Sequence, residues 1–73
     1  MEKVSLTEWE FEKLLLDTAD LSHEEESAFL KSKLETNDPD YCKRDEQVTI
    51  IDESVVAILN HDEQCIELFE VGQ

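Results

Sequence analysis

QVTIIDESVVAILNHDEQCIELFEV, residues 47–71, is the stretch whose reading decides the fold. Its β-branched and aliphatic residues come in short runs, separated by polar clusters at Asp52–Ser54 and Asn60–Glu63. Runs of this length between turn-forming residues are the signature of strands. The spacing predicts three antiparallel strands over residues 47–51, 54–59 and 64–71, joined by tight turns. A helix is the competing reading, because Val55, Ile58, Leu59, Ile66 and Phe69 also recur at helical spacing. It would make the chain all-α, with residues 53–70 as a third helix. That helix would crowd Val55, Val56 and Ile58 into one turn, where branched side chains lose rotamer freedom, and would set Asp62 on its apolar face. Strands are therefore expected.

Upstream, Asn37, Asp38, Pro39 and Asp40 form the clearest break in the chain. Pro39 suits the start of a short helical turn capped by Asp38. Before the break, Ser22 with Glu25 makes a capping box and predicts a helix over 23–35, with Leu30 and Leu34 inward and Phe29 to one side. Glu24, Glu25 and Glu26 fall in its first turn, where the helix dipole favours negative charge. Ser5 with Glu8 repeats the box and predicts a first helix from about residue 6 to about Asp20. On a helical wheel Phe11, Leu14, Leu15, Thr18 and Ala19 form a core-facing stripe. Leu6, Trp9 and Leu16 fall on the opposite side. The expected fold is α+β, two N-terminal helices packed on one face of a small three-stranded antiparallel sheet. It forms one domain over 1–73, with a helical part at 5–36 and a β part at 47–71.

The chain has 20 acidic and 6 basic residues in 73, a formal net charge of −14. The carboxylates are divided evenly between the two halves, and no Lys or Arg follows Arg44. A field of that sign repels nucleic acid and anionic membrane and attracts cationic surfaces. A charge of magnitude about 2 to 8 is enough to keep a small domain soluble, so −14 asks for a further reason. Salt adaptation is one. Against it, Glu outnumbers Asp 13 to 7, and Lys supplies five of the six basic residues. The amino terminus is acidic where a secretory signal is basic and apolar, and no apolar run approaches the roughly 20 residues that span a bilayer. A soluble, cytoplasmic protein with Cys42 and Cys65 as reduced thiols is expected.

No pattern in the chain points to catalysis or a cofactor. His61 and Cys65 stand four apart, but Cys42 and His23 make no second close pair, so zinc is not expected. The Asn37–Asp40 cluster has a proline and no glycine where a calcium loop needs the sharp turn. A thiol nucleophile needs an electropositive niche, and the surroundings here have the opposite sign.

What remains is the acidic surface. Carboxylates three or four apart on a helix lie about 5 to 6 Å from each other, comparable with neighbouring phosphates on one nucleic-acid strand. Glu8 and Glu12 make such a pair, Glu10 and Asp17 a further row, and Asp20, Glu24, Glu25 and Glu26 extend the surface across the helix junction. Leu6, Trp9 and Leu16 form a candidate apolar patch within it, suited to a partner or to a homodimer. In size and charge the chain is similar to the small inhibitors and nucleic-acid mimics that phages and mobile elements direct against host nucleic-acid-binding proteins, an analogy of class without matched residues. The expected function is non-enzymatic: docking on a basic surface of a partner protein, with no direct contact to nucleic acid or membrane. The alternative is a small adaptor or self-assembling structural protein using the patch around Trp9.

Overall fold

The computed structural model describes residues 2–42 and 53–70. In chain order it has strand β1 (Glu2–Ser5), helix α1 (Glu8–Thr18), helix α2 (His23–Thr36), strand β2 (Val55–Asn60) and strand β3 (Cys65–Glu70). The strands form one antiparallel sheet in the order β1-β3-β2. The α+β arrangement of two helices and a three-stranded antiparallel sheet is thus present, and the helical alternative for residues 53–70 is not.

Two of the expected strands are found, each within a residue of its predicted bounds. Their turn is built by Asn60, whose Oδ1 accepts from the backbone N–H groups of Asp62 and Glu63. Gln64 follows in the left-handed region at φ 53°. The predicted strand at 47–51 lies outside the described residues. The third strand of the described sheet is instead Glu2–Ser5, in register Val4↔Ile66 and Ser5↔Cys65.

That strand corrects the start of the first helix. Ser5 pairs with Cys65, and Leu6 N–H extends the sheet by donating to Gln64 O at 3.2 Å. The capping box is therefore Thr7 with Glu10, two residues later than Ser5 with Glu8. Thr7 Oγ1 accepts from Glu10 N–H, and the Glu10 carboxylate accepts from Thr7 N–H. Leu6 and Phe11 occupy the staple positions on either side of this cap, and Leu6 packs against the core. The helix ends at Thr18, short of Asp20, with Thr18 Oγ1 donating back to Leu14 O.

The Ser22–Glu25 box starts α2 where expected. Left-handed Asn37 (φ 52°) ends it, with Asn37 N–H reaching Leu34 O and Asp38 N–H reaching Lys33 O. Asp38 then caps a single turn: its Oδ1 accepts from Asp40 N–H, and its carbonyl accepts from Tyr41 and Cys42 N–H.

The core lies between the helices and one face of the sheet. Phe11, Leu14, Leu30 and Leu34 pack with Val4, Val55, Ala57, Leu59, Ile66 and Leu68. Alternation along β2 sends Val55, Ala57 and Leu59 inward, leaving Ile58 43% exposed on the opposite face. Cys42 and Cys65 are both buried free thiols.

Among the described residues β2 is an edge strand, and backbone groups on its outer side are met by α2. Leu59 N–H donates to Glu26 Oε2 at 3.3 Å, Ala57 N–H to Ser27 Oγ at 3.0 Å, and Lys31 Nζ donates to Val55 O at 2.9 Å. Residues 26 to 31 advance about 7.5 Å along a helix, whereas residues 55 to 59 advance about 13 Å along a strand. The long side chains of Glu26 and Lys31 splay outward to make up the difference, and short Ser27 serves the middle. A bare edge, open to pairing with another chain, is sealed in this way.

Candidate functional site

The helix surfaces carry the residues in question, and they divide into carboxylates with internal work and carboxylates without. Glu10 and Glu25 close the two capping boxes. Glu26 is partly buried against β2. Asp17 accepts from the Tyr41 hydroxyl, which raises the tyrosine pKa above its ordinary value. Hydrogen bonds from Ser22, first its backbone N–H and then its side chain, hold the Glu25 carboxyl below the ordinary range. Glu8, Glu12, Asp20 and Glu24 are exposed and make no hydrogen bond or ion pair among the described residues. The Glu10–Asp17 row is therefore pinned by Thr7 and Tyr41, whereas the Glu8–Glu12 pair on α1 points to solvent.

The described lysines are engaged within the fold, Lys3 at the surface and the others against rings or backbone. Lys3 pairs with Glu63 at 2.8 Å and with Glu67 at 4.0 Å, contacts that raise its pKa, the Glu63 hydrogen bond most. Lys13 Nζ lies 5.2 Å from the Trp9 ring centre and 4.7 Å from that of Tyr41. Lys33 Nζ stands 4.5 Å from the Tyr41 ring centre, 5.1 Å from that of Phe29 and 3.5 Å from Asp38 Oδ2. Lys31 is committed to Val55. The Tyr41 ring thus sits between two ammonium groups and edge-on to Phe29, at 5.5 Å and 82°. This cluster clips α1, α2 and the Asp38–Cys42 turn together. It also takes two cations away from the outer surface.

The apolar patch is only partly as expected. Trp9 is 56% and Leu16 79% exposed on the outward face of α1. Leu6 does not join them: it precedes the cap and packs on the core. Phe11, Leu14 and Thr18 are buried on the inward face as expected, and Leu15 packs partly against the core, but Ala19 lies past the helix end and is exposed.

Other features offer less. His61 rests edge-on against Phe11 at 5.9 Å and 83°. Burial first, then Glu63 and Glu67, pushes the Cys65 thiol pKa up, the reverse of nucleophile activation. Among the described residues no group of three or more His, Cys, Asp or Glu could hold a metal ion. An open hollow of about 260 Å³ lies beside the first turns of α2, with Ala28, Val55 and Val56 in its wall and His23, Glu24 and Glu53 at its rim. No helix among the described residues is long and apolar enough to cross a membrane.

The structural duties of Glu26, Ser27 and Lys31 leave no mark in the sequence, because their partners are backbone groups 24 to 33 residues away. The Tyr41 cluster is equally long-range. Compared with protein-family models, curated proteins and solved structures, the chain matches none.

Proposed function

We propose that this protein is a non-enzymatic acidic binding module that docks its helix surface on a basic site of a partner protein, as an inhibitor or mimic of nucleic acid. One observation carries the proposal: all four described lysines are engaged by internal carboxylates, carbonyls or rings, while Glu8, Glu12, Asp20 and Glu24 stand outward without partners. Among the described residues these four carboxylates therefore face solvent without a paired cation, on a chain whose formal net charge is −14. Such a field steers cationic surfaces in and holds them by screened Coulomb attraction.

The test is capture on the immobilised full chain. Retained proteins should be rich in Lys and Arg, should be displaced by duplex DNA, and should leave as salt rises from about 0.1 to 1 M, where the screening length falls from about 10 to 3 Å. Retention of nothing at the lower salt, or retention unchanged at the higher, would contradict the proposal. A second reading, association through an apolar patch, is favoured by the exposure of Trp9 and Leu16. It predicts binding that persists at high salt.

A further inference from the structure

Trp9 and Leu16 lie on one outward line of α1. Seven residues separate them, which is about 10.5 Å along the axis and within about 20° in azimuth. Glu12 and, farther round, Glu8 border one side of that line, and Asp20 follows it past the helix end; all three are exposed and without partners among the described residues. Asp17, beside Leu16, is held by the Tyr41 hydroxyl, and Lys13 lies over the Trp9 and Tyr41 rings. The face is thus an apolar pair with a mainly anionic rim.

The size of the pair limits what can cover it. Two side chains exposed to this degree offer about 300 Å² of surface at most, against about 800 Å² per partner in a standard stable interface. The remaining attraction must come from the rim. For a second copy of this chain the rim meets another rim of the same sign, on a molecule that also carries −14. For a cationic partner the same carboxylates attract.

Spacing narrows the occupant further. Same-face residues on a strand recur at about 7 and 13 Å, neither matching 10.5 Å, whereas residues seven apart on a helix repeat the spacing of Trp9 and Leu16. We infer that the outward face of α1 is a docking site for a basic amphipathic helix of a partner protein, whose apolar side chains seat on Trp9 and Leu16 while its Lys or Arg side chains pair with Glu8, Glu12 and Asp20. The inference rests on the proposed binding of a cationic partner and adds its shape.

Trp9 is the single tryptophan of the chain, so its fluorescence reports occupancy of this face directly. The probes are a synthetic Lys/Leu peptide with leucines at helical spacing and a Lys/Ser peptide of equal charge. The full chain should bind the Lys/Leu peptide about tenfold tighter or more, with a blue shift of Trp9 emission. Leu16→Ser, at a site too exposed to endanger the fold, should abolish that preference and leave Lys/Ser binding unchanged, with far-UV circular dichroism confirming the helices. Equal affinity for the two peptides, or a preference that survives Leu16→Ser, would overturn the inference while salt-sensitive binding of both left the cationic-partner proposal standing. Binding of neither peptide would overturn both. A concentration-dependent dimer in sedimentation, lost in Leu16→Ser, would also overturn it by giving the face to a second copy.

Discussion

Ser27→Ala removes one oxygen from the seam between α2 and β2, and two opposing effects set the outcome. The Ala57 N–H that donates to Ser27 Oγ at 3.0 Å is buried, and α2 covers it against water. Leaving a buried donor unsatisfied costs about 1 to 3 kcal/mol. Alanine is the better helix former, which returns about 0.5 kcal/mol. The net expectation is a loss of about 0.5 to 2.5 kcal/mol, whereas a serine without that bond would show a gain. The two cases differ in sign. For a domain of this size total stability is about 4 to 11 kcal/mol, so the loss is large enough to read. Urea unfolding followed by far-UV circular dichroism should show a lower midpoint with an unchanged slope. Hydrogen exchange should show faster exchange at Ala57, with the protection of β3 changing only as global stability falls. Increased stability together with an unaltered Ala57 amide would refute the edge-sealing role of α2.

Other consequences can be checked alongside it. Leu30→Ala empties a fully buried site between α2 and the sheet, and the expected loss of about 2 to 5 kcal/mol should leave the domain at the margin of folding in a thermal melt. Cys42 and Cys65 should resist a thiol reagent in the native protein and both react after denaturation; fast labelling of either would contradict their burial. Glu25 has its pKa lowered in the fold, so its contribution is present above its ordinary value of 4.5 and is lost as pH falls through the depressed value. The stability gap between wild type and Glu25→Gln, measured by urea unfolding across pH, should therefore close on acidification. Because carboxylate repulsion opposes the compact state, the melting temperature should rise with added sodium chloride, and a salt-independent melt would show that the charge is already compensated.

The helices and the C-terminal hairpin are legible in the sequence because their signals are local. Ser22 and Glu25 bond each other across one turn, and the runs at 55–60 and 65–70 alternate or cluster around turn residues. β1 is not legible: it offers a single buried residue, Val4, and becomes a strand only through pairing with β3 some 60 positions later. Its formation also moves the helix cap, since Ser5-x-x-Glu8 and Thr7-x-x-Glu10 are two registers of one motif and only the sheet chooses between them. On the candidate site, the exposure of Trp9 and Leu16 follows from the wheel. The inward placement of Leu6, the pinning of Glu10, Asp17 and Glu26, and the engagement of the described lysines depend partly or wholly on tertiary contacts, whereas the pinning of Glu25 by Ser22 is local. Composition alone therefore overstates how many carboxylates are free on the helix face, and it does not show that the four described lysines are all engaged within the fold.

The most direct test of the central claim compares two variants with the same change in net charge. One replaces Glu8, Glu12, Asp20 and Glu24 by their amides, and the other does the same to Asp40, Glu53, Asp62 and Glu70, which are also exposed but lie outside the two helices. Affinity for the cationic protein recovered on the immobilised chain should fall about tenfold or more in the first, with a flatter salt dependence, and change much less in the second. Equal losses in the two variants, or none in either, would contradict the assignment of a docking role to the outward carboxylates of the helices.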